Sequence, residues 1–222
     1  MRSFSAILDI AAERKGGVQA VLAKVPPVLS ADELAAIPDS RWLAQMARGI
    51  FQAGISWSVV DAKWPGIEEA FFGFDTGRVA MIEGEALEAL LSDRRVIRSG
   101  AKIIAIRDNA VFIRETARTH GSFGRRIGDW PANDFAGLLA WLVKEGSRLG
   151  GATGPYMLRA MGKESFILSQ DVQARLVAEG VIDGPATSAK AMRAIQAAFN
   201  VWQAESGQSQ TTISRVLAQS IG

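Results

Sequence analysis

An all-α fold is what this sequence predicts, and three observations predict it. Apolar residues recur every three or four positions through most of the 222 residues, the pattern of helices that bury one face. Serine, aspartate, proline and glycine punctuate those stretches where helix ends require them. No alternating run argues for a sheet, and Phe166-Ile167-Leu168 is the sole strand-like piece.

The elements follow in order. Residues 4–15 form a first helix with Phe4, Ile7, Leu8, Ile10 and Ala11 inward; Gly16-Gly17 ends it, and Val18–Ala23 is a short second helix before Pro26-Pro27. Ser30 with Glu33 three residues on is a capping box, opening a turn that runs to Ile37. Asp39-Ser40 caps a helix from Arg41 to about Gln52, and Gly54 allows a bend before Ser56-Trp57 opens the next, to about Lys63. Pro65 starts another helix that reaches Phe71-Phe72-Gly73-Phe74, with Asp75 capping the short turn behind it. A helix from about Gly84 to Ser92 carries Leu87, Leu90 and Leu91. The longest segment, Ile97 to Arg118, faces Ile103, Ile104, Ile106, Ala110, Phe112 and Ile113 inward. Gly121–Asp129 reads as a loop, and Trp130-Pro131 leads into a helix from Asp134 to Glu145. Thr187-Ser188 caps a helix with Met192, Ile195, Phe199 and Trp202 that ends at Gly207, and Thr211–Ile221 is a last amphipathic helix assigned to packing.

Composition excludes several function classes. The chain has no cysteine, so disulfides and thiolate metal sites are out, and His120 alone cannot build a histidine site. No metal or other cofactor is expected. No uncharged apolar run reaches spanning length and the start does not read as a signal peptide, so a cytoplasmic protein is expected. The formal charge is only +2, but its distribution is uneven: Arg94, Arg95, Arg98, Lys102 and Arg107 crowd one segment, and Arg114, Arg118, Arg125 and Arg126 follow. Such a run is either a solvated helix face or a surface that meets phosphates.

Two stretches stand out chemically. Gly49-Ile50-Phe51-Gln52-Ala53-Gly54-Ile55-Ser56-Trp57 sets an amide, a hydroxyl and two aromatics in an apolar pattern. Gln52 and Ser56, four apart, share a helical face that can hydrogen-bond something flat, beside the broad surface of Trp57. The other reading is a core helix with two satisfied polar groups. In Gly146-Ser147-Arg148-Leu149-Gly150-Gly151-Ala152-Thr153-Gly154-Pro155-Tyr156, a helix ends and another begins with Pro155 in its first turn, across glycines that leave backbone amides bare. A tight inter-helix turn would explain the same glycines. Beyond it, Ser169-Gln170-Asp171 starts a helix to Glu179 that either Ser169 or Asp171 could cap. A carboxylate fixed there could instead stabilise positive charge developing on a sugar.

Gln52-Ala53-Gly54-Ile55-Ser56-Trp57, then Phe74-Asp75 with Val79, Ile97-Arg98 with Lys102-Ile103, and Asn109-Ala110 resemble DNA-3-methyladenine glycosylase I at nearly the family's spacing, over residues 45–115. Gly151-Ala152-Thr153-Gly154-Pro155-Tyr156 resembles the same family's later hairpin, and Glu145 to Arg175 is similar to the wider helix-hairpin-helix glycosylase superfamily, where an aspartate follows the hairpin. The resemblance implies a two-lobed helix-hairpin-helix fold: a single unit of residues 1–222, with lobe A near 30–130 and lobe B near 131–185. Lobe B contains the hairpin 146–156 and packs with terminal helices in 1–29 and 186–222.

It further implies base excision repair of double-stranded DNA by a monomer that flips out an alkylated purine, most readily 3-methyladenine, and hydrolyses its glycosidic bond. Trp57 would stack on the extruded base, Gln52, Ser56 and Gly49 would border its pocket, and Arg148, Gly150, Gly151 and Thr153 would hold the DNA backbone. Asp171 would be the catalytic carboxylate. Ala152-Thr153-Gly154-Pro155 stands in the region where bifunctional members of that superfamily place a lysine, so no lyase step is implied. The chain departs from the family in three places. Gly49 stands where the family has a base-reading glutamate, residues 1–40 lack its tyrosine motif, and its zinc ligands are missing. Arg48, Asp61 and Asp171 are the charged residues left to reshape the pocket. The alternative function is a non-catalytic DNA-binding or damage-sensing protein that keeps the fold.

Overall fold

A computed structural model describes residues 1–23 and 25–221. Every regular element among them is helical. Helices α1 (Phe4–Lys15), α2 (Val18–Leu22), α3 (Ala31–Ala36), α4 (Asp39–Gln52), α5 (Trp57–Ala70), α6 (Thr76–Ala80) and α7 (Gly84–Ser92) precede the long α8 (Gly100–His120). Then come α9 (Phe123–Gly128), α10 (Phe135–Glu145), α11 (Thr153–Ala160), α12 (Gln170–Ala178), α13 (Ala189–Ser206) and α14 (Gln210–Gln219). They form two compact units. One comprises residues 1–29, 131–138 and those from 162 onward; the other comprises residues 30–130 and 139–161. Residues 146–156 therefore cluster with 30–130 rather than with 162–185.

In the unit containing both termini, rings of Phe135, Phe166, Phe199 and Trp202 run edge and face against one another at centroid spacings of 4.5–5.7 Å. Residues 163–169 have no regular secondary structure, so Phe166-Ile167-Leu168 form no strand. Ser165 and Ile167 donate their N–H groups to Thr211 Oγ1 and Ser214 Oγ, so hydroxyls on α14 take the place of a partner strand. Seven of the ten residues of α14 are buried accordingly. Arg175 and Glu179 form a buried ion pair that ties the chain ends together. Glu179 accepts from the Arg2 backbone N–H and guanidinium, each at 2.8 Å, while Arg175 donates to the Ser220 hydroxyl and carbonyl. Burial alone would raise the Glu179 carboxyl, but these Arg2 and Arg175 hydrogen bonds outweigh it and hold it below the usual range.

In the other unit, α4 buries Trp42, Leu43, Met46, Ile50 and Phe51 against α8, which buries Ile103, Ile106, Asn109, Ala110 and Ile113. Four expectations are corrected here. Ile104 is exposed on α8. Pro65 lies inside α5, because Val60 and Ile67 are buried on either side of it and hold one continuous helix despite the lost N–H. Residues 123–128 form α9 instead of a loop: the Ser122 hydroxyl caps the helix, and Gly124 and Gly128 let it lie against the backbone of α3. Helix α4 starts at Asp39, which turns its carboxylate to the N–H of Phe123 instead of capping its own helix. Burial there raises the Asp39 carboxyl above its ordinary range, with the Phe123 bond opposing.

Candidate functional site

The stretch around Trp57 is a turn between two helices. Helix α4 stops at Gln52, Gly54 takes a left-handed φ of +81°, and Ser56 sits at the start of α5 in extended backbone. Gln52 and Ser56 thus belong to different helices and do not share a helical face, which corrects the sequence reading; the glycine bend separates them. The Ser56 hydroxyl bonds that of Ser58 at 2.8 Å. Lys102 of α8 secures this turn by donating to the carbonyls of Phe51 (3.0 Å) and Ala53 (2.6 Å), groups a helix end otherwise leaves unpaired. Burial lowers the Lys102 ammonium from its ordinary value, and the charge of Arg148 lowers it further.

Trp57 is held at the surface: the residue is 58% exposed, and its one ring neighbour among the described residues is Tyr156 of α11, 44% exposed, with centroids 6.2 Å apart and planes at 83°. An edge-to-face pair of this kind leaves aromatic surface open for a further flat ring. A core role for this tryptophan is excluded by its exposure.

The second stretch packs beside it in the same unit. Leu149 is buried and anchors the connection between α10 and α11. A side chain at Gly146 would run into Leu149, and one at Gly154 would lie 2.6 Å from the Leu149 carbonyl, so these two glycines are steric necessities of the turn. Gly150 and Gly151 are different. Gly151 has φ +60° with open space around it, and among the described residues neither backbone N–H finds an acceptor. Arg148 between them and α10 adopts a left-handed φ of +56°, an uncommon conformation for a non-glycine residue, and its exposed guanidinium meets no carboxylate among the described residues.

Thr153 is less available than the sequence reading supposed. Its N–H reaches the Gly150 carbonyl at 3.3 Å, and its methyl faces Gly49, where an added Cβ would lie only 3.1 Å away. Gly49 is accordingly a contact between α4 and α11, with no side chain to offer a ligand. Ser169, not Asp171, caps α12 by accepting from the N–H of Val172. Asp171 lies exposed in the first turn of α12, in the unit that contains the termini, and its carboxylate makes no bond among the described residues. Arg48 and Asp61 neutralise each other at 2.6 Å, with Arg48 over the Trp64 ring.

The basic run also resolves into separate fates. Arg95 is held by Asp93 and Glu69, which raise its already high pKa; Arg107 pairs with Asp108; Arg125 pairs with Asp32 and Asp129; and Arg126 lies over Trp130. The side chains of Arg94 and Arg98 have no such partner among the described residues. A cavity of about 530 Å³ lined by Asp39, Thr76, Val111, Arg114, Glu115, Ala117 and Arg118 takes in two arginines of the basic run but no residue of the Trp57 stretch, of residues 146–156 or Asp171.

Sequence reasoning missed the parts played by Lys102, Asn109 and Tyr156. Lys102 was read as one cation in a run. Asn109 was a motif residue with no task, yet it is fully buried and bonds both backbone groups of Ser147, donating to the carbonyl at 2.8 Å and accepting the N–H at 2.9 Å. An amide amid the apolar stripe of α8 was the available signal.

The family model described as methyladenine glycosylase matches residues 38–134, which takes in the Trp57 turn and α8 but stops before residues 146–156 and Asp171. Solved structures of similar fold include a variant of 3-methyladenine DNA glycosylase I in complex with 3-methyladenine (20% identity, 62% of this chain and 80% of that one, TM-score 0.52). Another 3-methyladenine DNA glycosylase I is 24% identical over 64% of this chain and 86% of its own, TM-score 0.50. The enzyme of that name from Staphylococcus aureus, studied for its recognition of 3-methyladenine, is 21% identical over 65% and 84%, TM-score 0.51. At such identities the likeness is one of fold. No curated protein matches by sequence.

Proposed function

We propose that this chain is a methyladenine-glycosylase-like enzyme: a monomeric DNA glycosylase that flips an alkylated purine, 3-methyladenine first among them, out of duplex DNA and hydrolyses its N-glycosidic bond. The observation that carries the reading is the exposed Trp57–Tyr156 pair, presented by a turn inside the segment that matches the methyladenine glycosylases. A surface aromatic pair costs the protein burial it could have had elsewhere, and stacking on an extruded base gives it a use.

The chemistry asks little of the protein once the base is extruded. A base methylated at N3 is already cationic, so it departs with the glycosidic electron pair as a neutral purine and needs little acid assistance. The sugar left behind has oxocarbenium character, and water adds at its anomeric carbon. Asp171 is the carboxylate we assign to stabilising that cation or orienting the water. That Ser169 caps α12 while the Asp171 carboxylate makes no bond among the described residues supports this assignment. The free amides of Gly150 and Gly151, with Arg148, are assigned to phosphates on the helix-hairpin-helix strand grip. Thr153 contributes to that grip chiefly by packing on Gly49. Gln52 at the end of α4 and Ser56 at the start of α5, on either side of the Gly54 bend, are assigned to the edge of the base.

A second reading is favoured by one observation, the approach of Thr153 to Gly49, which leaves no side chain there to read a base. On it the protein binds damaged DNA without cutting. Incubation of the chain with methylated duplex DNA, followed by chromatography of released bases, separates the two: free 3-methyladenine supports the enzyme, whereas tight binding without release supports the sensor.

A further inference from the structure

We infer that Asn109 is a positioning residue for DNA binding: through its two bonds to Ser147 it holds Arg148 in the one backbone conformation that aims its guanidinium at a phosphate. The inference rests on the DNA-binding reading above. Asn109 is 0% exposed, and its amide is spent entirely on the backbone of a residue 38 positions away. A buried amide on an otherwise apolar face is costly unless both its ends are bonded, so its presence fixes geometry that a leucine would leave loose.

What it fixes is the residue just before Arg148, whose left-handed φ of +56° is disfavoured for a side-chain-bearing residue. Locking both the N–H and the carbonyl of Ser147 constrains the peptide that leads into that strained position. Lys102 lies seven residues earlier on α8, and hence on the same face two turns away, about 10 Å along the axis. It pins the turn that presents Trp57, as Asn109 pins the turn that presents Arg148. One rigid helix thus sets the spacing between the aromatic pair and the free cation. The Arg148 charge felt at Lys102 is consistent with that proximity.

The test is a double-mutant cycle on the full chain, read as the affinity for a fluorescein-labelled duplex with a tetrahydrofuran abasic site across a range of NaCl concentrations. Arg148→Ala should weaken binding severalfold and flatten the log K against log salt slope by about 0.9, the signature of one lost phosphate contact. Asn109→Ala should reproduce both changes, and the double variant should be no weaker than either single one. Asn109→Asp keeps the acceptor for the Ser147 N–H and loses the donor, and it should fall between the unaltered chain and Arg148→Ala in both affinity and slope; it serves if Asn109→Ala proves unfolded by circular dichroism. A purely structural Asn109 would leave the salt slope unchanged, and its effect would multiply with that of Arg148→Ala; either outcome overturns the inference while leaving the glycosylase reading standing. If Arg148→Ala alters neither affinity nor slope, the inference falls together with the phosphate role of this turn. Absence of any duplex binding by the unaltered chain would sink the DNA reading itself.

Discussion

Replacing Trp57 with alanine should separate stability from activity. The residue is 58% exposed, so about two fifths of its surface is covered by protein. Full truncation of a buried tryptophan costs about 3–5 kcal/mol, so the covered share and the Tyr156 contact together come to roughly 1–2 kcal/mol. Against a typical domain stability of about 5–15 kcal/mol, that leaves the variant folded at 25 °C. Loss of a base-stacking face is a different matter. Base–aromatic stacking is worth about 1–3 kcal/mol, which at about 1.4 kcal/mol per decade is a loss of roughly 5- to 150-fold. Single-turnover release of 3-methyladenine should fall by that factor, with Trp57→Phe intermediate, while urea unfolding shifts by no more than the smaller figure. Release within twofold of the unaltered chain would refute the stacking role. A fall in activity matched by an equal unfolded fraction would refute it too.

Three further outcomes are expected. Asp171→Asn should cut single-turnover excision at least tenfold, an effect within the range of general acid–base and electrostatic catalysis, with affinity for abasic duplex nearly unchanged; an undiminished rate would relegate Asp171 to the first turn of α12. Glu179→Gln should destabilise the protein by about 3 kcal/mol at pH 7 in urea unfolding, since it strips the buried Arg175 of its counter-ion. The folded-state pKa of Glu179 is lowered, so its stabilisation is fully present above the unfolded value of about 4.3 and is lost as pH falls through the folded value; the two proteins should therefore converge in stability at pH below that folded value. Gly124→Ala should cost about 2 kcal/mol or more in thermal unfolding despite its gain in helix propensity, because the new methyl would lie 2.2 Å from the Leu34 carbonyl oxygen and drive α9 off α3.

The helices were readable because their ends are written in local chemistry. Ser30 with Glu33, Asp75, Ser188 and Gly207 all act at the helix ends where sequence placed them. What escaped depends on partners distant in sequence. Helix α9 was hidden because its glycines read as loop signals, whereas they serve to admit the α3 backbone. Pro65 looked like a start because the apolar grip of Val60 and Ile67 that carries α5 through it is tertiary. At the candidate site, exposure of Trp57 could not be told from burial by spacing, and its partner Tyr156 lies 99 positions on. The glycines of 146–154 were recognisable as a group; which are sterically required and which leave amides free depended on Leu149. Nor could spacing show that Ser169 alone would cap α12, freeing Asp171.

The central claim is that an aromatic pair and a glycine-lined turn serve base removal from DNA, and release of free base tests it most directly. Duplex DNA carrying defined methylated purines, incubated with the purified chain and analysed by liquid chromatography, should yield 3-methyladenine in a time- and protein-dependent manner, with the Trp57→Ala variant slowed as calculated above. If no free base emerges from any methylated duplex while the protein remains folded and bound to it, the chain is a damage-binding protein with a glycosylase fold.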